Sequence, residues 1–272
     1  MDVIDKVRVT GRGNIVLVDD IRKYNIHIHD KVKIRRKTKI CSIFEIVGIE
    51  MLEHSKRGGL ILHPNDKVEE IKINDKIEKV MSKMYLGIDN QDGFREGGNL
   101  AVNGGTKCGD LQAEYLKKNK NLYAVVGETV DWHPSTHCSF KENGGQWPNH
   151  CEQFTKDAAI YQPLYDVLKT CPNFTVFTKG CDEDHEEYSV FKNEKSRDRI
   201  IRIVEHYGID EIHVGGIAYD YCVAETVKDG LRYLPNVKFV VFGNFCPAIA
   251  EDTANEFTKF IENSERVCLA QG

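Results

Sequence analysis

The sequence predicts an α/β protein with a doubly wound, mainly parallel six-stranded sheet, helices on both faces, and a small β-rich domain at its N-terminus. From residue 84 onward, apolar runs of strand length alternate with longer segments of mixed polarity. Residues 1–80 instead read as short β-type segments, and they hold 17 Lys and Arg against 13 Asp and Glu, whereas the remainder holds 20 against 29. We therefore expect two domains, residues 1–82 and residues 83–272.

The N-terminal part contains short apolar segments that are separated by turn-forming residues such as GRGN and SKRGG. One of them, KVKIRR, alternates apolar and basic residues, which is the period of a half-buried strand. The segments predicted as strands are VRVT, NIVLVDD, KVKIRRKTKI, FEIVGIEML, LILHP and EIKI.

The C-terminal part alternates strands and helices, which implies crossover connections and a parallel sheet. The predicted strands are MYLGI, LYAVV, FTVF, EIHVGGI, KFVVF and VCLA. The predicted helices are DLQAEYLKKN, KSRDRIIRIVEHYG with Gly208 as its end, YCVAETVKDGLRYL, and DTANEFTKFIEN with Asp252 as its cap.

Composition limits the class of protein. The 41 % of hydrophobic residues is enough for a sizeable core, and no stretch approaches 18 consecutive apolar residues. The start MDVIDKVRVTGRGN lacks the apolar segment of a secretory signal, so we expect a cytoplasmic protein without a membrane span. The nine cysteines show neither a disulfide framework nor paired CxxC zinc motifs.

Reactive side chains follow four of the predicted strands. Ligands of parallel sheets bind beyond the carboxyl ends of the strands. An acid, a metal-binding pair, a base and a thiol would then meet at that edge. The alternative is chance, because each of these placements alone is common in loops. The residues are Asp89, Asp131, His133, Lys179 and Cys222.

The thiol is the candidate nucleophile. Cys222 lies where a strand gives way to a helix, and a helix N-terminus stabilises a thiolate. Asp89 is the best-placed proton acceptor, and Lys179 is the cation that stabilises charge. If the three converge, acyl transfer follows.

The stretch DWHPSTH predicts part of a metal site. Asp131 and His133 are separated by one residue, so in an extended segment their side chains point the same way. His150 in GGQWPNHC is the candidate third ligand, which leaves open coordination positions. His137 has three open interpretations: a fourth ligand, a partner of a ligand, or a simple loop histidine.

Read together, these residues resemble the nicotinamidase/pyrazinamidase branch of the isochorismatase-like cysteine hydrolases. The resemblance covers about residues 84–272. Its motifs are IDNQDGFREGGNLAVNGG, DWHPSTHCSF, QWPNHC, the lysine of FTKG with YSVF downstream, and GGIAYDYCV.

The resemblance implies a metal-dependent amidohydrolase that converts nicotinamide to nicotinate and ammonia through a cysteine thioester, in NAD salvage. It also implies one divalent ion, with Zn²⁺ ahead of Fe²⁺ and Mn²⁺, and a cis peptide bond between Ile217 and Ala218. The implied roles are catalysis for Asp89, Lys179 and Cys222; an oxyanion hole at Ala218 and Cys222; metal binding for Asp131, His133 and His150; and substrate contact for Phe94, Trp132, Gln91 and Tyr188.

Two positions depart from the family pattern. Tyr219 stands where a small residue is usual, and Gly93 stands where an acid is usual. Each departure would alter the fit of a substrate ring, and neither is a predicted catalytic or metal-binding residue.

About the first 45 residues faintly resemble swapped-hairpin domains of the SpoVT/AbrB type, which form intertwined dimers and often bind DNA. We therefore expect a homo-oligomer in which residues 1–82 serve as a dimerisation or accessory module. A basic strand such as KVKIRRKTK would suit phosphate contacts, but a solvated strand face is the simpler interpretation.

Two alternatives to nicotinamide hydrolysis remain at the level of sequence. A related hydrolase of the same fold would act on another small amide or carbamoyl substrate. A regulator with a hydrolase-like domain would only sense a ligand, but a sensor has no need for Asp89, Lys179 and Cys222 together.

Overall fold

A computed structural model describes residues 1–9, 13–19, 21, 26, 28, 30–37, 39–51, 56–62, 68, 71–80 and 82–272. The chain forms two compact units. The N-terminal unit comprises Met1–Met81 and His206–Gly208, and the C-terminal unit comprises Ser82–Glu205 and Ile209–Gly272.

The N-terminal unit is built on an antiparallel sheet of six strands in the order β1-β2-β5-β4-β3-β6. Its core is aliphatic, with Val16, Val32, Ile46 and Leu60 fully buried. The strands are β1 (Val3–Val9), β2 (Gly13–Val18), β3 (Lys31–Arg36), β4 (Lys39–Met51), β5 (Gly58–Leu62) and β6 (Lys76–Lys79).

Two predicted strands of this unit differ from the structure. The segment KVKIRRKTKI is divided between β3 and β4, because Lys37 adopts a left-handed backbone with φ 54°. Of the segment EIKI, Glu70 lies outside the described residues, and residues 71–73 lie before β6 instead of forming it. There Asn74 is left-handed at φ 69°, and the Asp75 carboxylate accepts the N–H of Lys72 at 2.8 Å, so the chain turns before it pairs.

The C-terminal unit confirms the predicted parallel sheet. Its six strands lie in the order β12-β11-β10-β7-β8-β9, and every pair is parallel. The strands are β7 (Ser82–Ile88), β8 (Val125–Asp131), β9 (Thr175–Lys179), β10 (Ile209–Gly216), β11 (Lys238–Phe242) and β12 (Val267–Ala270).

Helices cover both faces of this sheet. The helices are α1 (Gly105–Asn119), α2 (Gln162–Leu168), α3 (Glu194–Tyr207), α4 (Ala224–Tyr233) and α5 (Glu251–Glu262). On one face, Tyr85 and Val126 join the core formed with α1 and α2. On the other, Arg199 of α3 lies 5.4 Å over the Phe177 ring, and Gly230 of α4 packs on Phe239.

Helix ends show both the strength and the limits of local patterns. Gly208 directly follows α3 with φ 57°, as a glycine stop requires. The cap predicted at Asp252 is wrong, because α5 begins at Glu251 and its cap residue is Ala250, which has no side-chain group to accept a hydrogen bond. Among the described residues, every helix is too short or too polar to span a bilayer.

Candidate active site

Four neighbouring strands end at one edge of the parallel sheet and carry the reactive side chains there. Asp89 directly follows β7, Asp131 ends β8, and Lys179 ends β9 in register with Asp131. Cys222 lies in a short π-helical segment, Tyr219–Val223, between β10 and α4. The parallel order β10-β7-β8-β9 thus brings residues that are distant in the sequence to one place.

The acid, the lysine and the thiol are in mutual contact. Lys179 Nζ lies 2.9 Å from Asp89 Oδ2 and 3.5 Å from Cys222 Sγ, and it also pairs with Asp131 Oδ1. One carboxylate oxygen of each aspartate and the sulfur all lie within 4.8 Å of one another. All four side chains are buried, so their charges interact with little screening by water.

Burial and charge together set the protonation of this group. Burial opposes the charge on Lys179, but the nearby Asp131 and Asp89 carboxylates outweigh it and raise the lysine pKa. Burial raises the pKa of Asp89 against the effect of Lys179. Burial also raises the pKa of Cys222, against the effect of the Lys179 ammonium. The sulfur therefore needs a proton acceptor before it can attack.

Asp89 has an unusual backbone that directs its side chain. Its φ is 50°, in the left-handed region, and its N–H is held by the Thr129 carbonyl at 3.1 Å. The Thr129 hydroxyl donates to Asp89 Oδ1 at 2.6 Å. These contacts leave Oδ2 for the ion pair with Lys179.

Three buried side chains form a candidate metal site beside this group. Asp131, His133 and His150 each offer one ligand atom, and these atoms lie within 4.8 Å of one another. His133 Nδ1 donates to the Gly180 carbonyl at 3.0 Å, and His150 Nδ1 donates to the Pro148 carbonyl at 2.8 Å. Because carbonyls only accept, Nε2 of each ring in its neutral form keeps a lone pair, as metal ligands require.

His137 does not belong to that group. Its Nδ1 lies 2.7 Å from the Ser139 hydroxyl, and its Nε2 donates to the His185 carbonyl at 3.0 Å. Burial lowers its pKa to about 4, so it stays neutral. Its ring packs 4.1 Å from the His133 ring. Since both nitrogens are occupied, the structure favours a partner of the ligands over a fourth ligand.

A cavity with about 390 Å³ of empty space opens onto the thiol and the candidate metal site. It brings together the predicted residues Phe94, Tyr188, Ala218 and Cys222 with Asp131 and His150 of the metal group. The rest of its wall is Leu100, Val102, Trp147, Glu186, Ile217, Tyr221 and Ile249.

Two residues predicted to contact substrate do not line this cavity. The Gln91 amide is fully used by the backbone: it accepts the Asp131 N–H at 2.8 Å and donates to the Asp131 and Ala158 carbonyls. Trp132 packs edge-on against Phe154 at 5.4 Å. Since Trp132 lies between Asp131 and His133 in extended chain, it faces away from the side they share.

Three aromatic or charged residues of the cavity wall were not predicted to contact substrate. Trp147 donates its indole N–H to the Tyr188 hydroxyl at 3.0 Å, and Tyr221 packs edge-on against Trp147 at 5.6 Å. Both stand inside quoted motifs, QWPNHC and GGIAYDYCV, so their positions gave a usable signal. Glu186 lies in the acidic stretch DEDHEEY, where nothing in the sequence distinguishes it from its neighbours.

The two departures from the family pattern have structural explanations. Tyr219 points to α5, where its hydroxyl meets Thr258 at 2.9 Å and its ring meets Phe257. It therefore leaves the cavity wall unchanged. A Cβ at Gly93 would come within 3 Å of Asp157 Oδ2 and Cys151 Sγ, so a side chain there would have to displace one or both.

The backbone before the thiol adopts the conformation that the resemblance implied. The peptide bond between Ile217 and Ala218 is cis. Ala218 and Cys222 both line the cavity.

A parallel sheet that joins an acid, a lysine and a thiol beside an Asp–His–His cluster is the arrangement of an isochorismatase-like cysteine hydrolase. No family model matches the chain. It is, however, 32 % identical to the nicotinamidase of Acinetobacter baylyi over 53 % of this chain and 72 % of the relative. It is 33 % identical to the nicotinamidase/pyrazinamidase of Mycobacterium tuberculosis over 53 % of this chain and 76 % of that relative. The chain belongs to the nicotinamidase family.

Solved structures agree with that assignment. A Pyrococcus horikoshii pyrazinamidase in complex with zinc matches with TM-score 0.60 and 26 % identity, covering 70 % of this chain and 99 % of that one. An L. infantum protein in complex with nicotinate matches with TM-score 0.61 and 26 % identity, covering 70 % of this chain and 93 % of that chain. The shares covered leave part of this chain outside both matches.

Proposed function

We propose that this chain hydrolyses nicotinamide to nicotinate and ammonia through a thioester on Cys222, as a step of NAD salvage. The observation that carries the proposal is the contact of Lys179 with Asp89 and Cys222 at the wall of the same cavity. The names of the relatives and the nicotinate-bound neighbour support the choice of substrate.

A divalent metal ion fits the residues present. Two imidazole nitrogens and a carboxylate, all buried, make the donor set of a catalytic site with open positions. Among the described residues, His133 Nε2 has no hydrogen-bond partner, which suits a ligand atom. Asp131, His133 and His150 would hold the ion, and the zinc-bound neighbour supports Zn²⁺ ahead of Fe²⁺ or Mn²⁺. When bound, the ion would supply a Lewis acid for the pyridine nitrogen.

The aromatic wall would orient the ring of the substrate. Phe94 lies 5.5 Å from the His150 ring, and Tyr188 is fixed by the indole N–H of Trp147. Rings held in this way present flat apolar faces to a pyridine carboxamide. Its amide carbon would then lie against the Cys222 sulfur.

Acylation would begin when Asp89 takes the proton of Cys222. The sulfur then attacks the amide carbon, and the carbonyl electrons move to an oxygen that the Ala218 and Cys222 N–H groups stabilise. As the tetrahedral species collapses, the C–N bond breaks and the proton on Asp89 leaves with ammonia. Lys179 holds the Asp89 carboxylate in place and neutralises its charge.

Deacylation would use the same acid. Asp89, again ionised, takes a proton from water while the water oxygen attacks the thioester carbon. The C–S bond breaks and the proton on Asp89 passes to the sulfur. Nicotinic acid leaves and becomes nicotinate when its own proton is released to water. The site is then ready for the next substrate.

Ammonia release from nicotinamide by the Zn²⁺-loaded protein tests the proposal. We expect turnover that a chelator removes, and none in C222A, whose metal content should match the wild type because Cys222 is not one of the three proposed ligands, Asp131, His133 and His150. Benzamide, which lacks the ring nitrogen, is the control substrate and should react far more slowly. Ammonia from another small amide but none from nicotinamide would replace the proposed substrate, and turnover by C222A would exclude the thioester.

We also propose that residues 1–82 form a dimerisation or accessory domain and residues 83–272 the hydrolase domain. The separate cores of the two compact units support this division. Sedimentation of the intact chain would test the homo-oligomer that it implies.

A further inference from the structure

Asn90 follows the left-handed Asp89 and has a buried N–H that the parallel ladder does not reach. The ladder between β7 and β8 ends at Asp89, whose N–H bonds to the Thr129 carbonyl. Because φ is 50° at Asp89, the chain turns there, and Asn90 is only 2 % exposed. A buried N–H without an acceptor is costly, so this position requires one.

Glu128 of β8 supplies that acceptor. Its Oε1 accepts the Asn90 backbone N–H at 3.0 Å and the Asn90 side-chain amide at 2.9 Å. Its other oxygen packs directly against the α-carbon of Gly87, at the place where any side chain would begin. The carboxyl is therefore fixed between two strands, directly behind Asp89.

A second amide completes the network. Gln112 of α1 donates to Asn90 Oδ1 at 2.6 Å, and the Tyr85 hydroxyl donates to Gln112 Oε1 at 2.7 Å. Asn90 is thus held from two elements, β8 and α1. Glu128 accepts the Asn90 backbone N–H, and the Asn90 carbonyl accepts the Tyr161 N–H at 2.8 Å.

We propose that Glu128 is a positioning residue for the proton acceptor: by binding the Asn90 N–H, it fixes the left-handed turn that directs the Asp89 carboxylate at Lys179 and Cys222. The inference deepens the proposed function, since it rests on Asp89 as the acid of that reaction. None of the Glu128 contacts reaches the thiol, so Glu128 acts only through Asp89.

The carboxyl works in its neutral form. Burial raises the pKa of Glu128 to about 8. Glutamine has the same length and keeps the acceptor oxygen, so E128Q should preserve the turn. Methionine has a similar length but no strong acceptor, so E128M should leave the Asn90 N–H unbound and the turn at Asp89 no longer fixed.

The test compares these two variants with Y85F, a matched control that removes one buried hydrogen bond of the same network without touching Asn90. We expect E128Q to keep kcat for nicotinamide within about threefold of the wild type. E128M should lose about tenfold or more in kcat while KM stays within about threefold of the wild type, because Asp89, the proton acceptor that Glu128 positions, acts in the chemical step. Y85F should keep both constants within about threefold while its Tm falls.

A loss of kcat in Y85F equal to that in E128M would overturn the proposal, as would a change confined to KM. E128A is the second variant if E128M does not fold. If neither folds while E128Q does, Glu128 serves stability and the proposal is wrong.

A second readout separates this proposal from the proposed function. If the wild type releases no ammonia, the function fails, and the turn is then tested by the rate at which iodoacetamide alkylates Cys222 in the metal-free proteins. Alkylation about threefold or more slower in E128M than in Y85F supports the positioning. Equal rates would reject it.

Discussion

Lys179 contacts both parts of the candidate site. Its ammonium pairs with Asp89 and with Asp131, and it lies 3.5 Å from the Cys222 sulfur. The side chain is fully buried. Because a buried carboxylate is costly without a cation, this lysine stabilises the fold as well as the chemistry.

Replacing Lys179 with methionine should therefore lower the free energy of unfolding by about 3–5 kcal/mol, since two buried carboxylates lose their cation. It should also abolish ammonia release. Urea unfolding of the metal-free proteins measures the first effect. K83M is the control, because Lys83 pairs with Glu211 nearer the surface and should cost about 1 kcal/mol or less. Equal costs for the two variants would contradict the argument.

His150 has a ring nitrogen available for a metal ion, whereas both ring nitrogens of His137 have hydrogen-bond partners. H150A should lose bound Zn²⁺, because it removes one of three ligands, whereas H137A should retain it, because both nitrogens of His137 already have partners. Metal content after dialysis distinguishes them. Loss of metal in H137A together with retention in H150A would reverse the assignment.

At the residue scale, the alternation of an extended chain predicts more than we first took from it. It places Asp131 and His133 on one side, and the structure brings them together with His150. The same rule places the Trp132 side chain on the other side of the extended chain. Only the folded chain shows that the Gln91 amide holds the Asp131 and Ala158 carbonyls. Substrate contact by these two residues stays a prediction.

Strand β8 is buried along its whole length, yet it contains an acid. Glu128 has its pKa raised by burial from 4.5 to about 8. In the unfolded chain the carboxyl ionises near the lower value, so below about pH 4.5 both states are protonated. Between the two values the folded state holds the additional proton, and stability falls as the pH rises.

The wild type should therefore lose a few kcal/mol, to order of magnitude, of unfolding free energy from Glu128 between about pH 4.5 and pH 8. E128Q cannot ionise and should lack that component. The measurement is urea unfolding of both proteins at several pH values. A difference between them that stays constant with pH would show that Glu128 is ionised in the folded protein.

At the element scale, local periodicity predicted the six parallel strands and the long helices, but not every boundary. Helix α2 has only seven residues and too little pattern to be recognised. The start of α5 is held by Asp220, whose carboxylate accepts the N–H groups of Ile249 and Ala250, each at 2.9 Å. A partner so distant in sequence cannot be found from the cap residues around Asp252.

The N-terminal unit neutralises its own basic strand. On β3, Lys33 and Arg35 pair with Glu78 at 3.2 and 3.1 Å, and Arg36 pairs with Asp75 at 2.7 Å. Cations that already have carboxylate partners gain little from phosphate groups. This geometry favours the interpretation of a solvated face over nucleic-acid binding.

We accordingly expect no shift of duplex DNA by the intact protein at low salt, where phosphate contacts are strongest. The matched variant is E78Q, which releases Lys33 and Arg35 and should bind at least as well as the wild type. A gel-shift titration measures both. Salt-sensitive binding by the wild type, lost when Arg35 and Arg36 are replaced, would establish a nucleic-acid site.

For the whole molecule, the sequence predicted the parallel sheet and the resemblance predicted the family, because both depend on patterns that recur along the chain. The cavity was less accessible, since its wall combines residues from Phe94 to Ile249. The site roles, the oligomeric state and the cytoplasmic location stay predictions.

The ion pairs of Lys179 also bear on when the chain becomes reactive. They join the ends of β7, β8 and β9, so the nucleophile has its acid and its cation only after those strands have aligned. Before that alignment, Cys222 lies far from both partners along the chain. The proposed reaction thus requires the parallel sheet to be formed, and a partly folded chain should not hydrolyse the substrate.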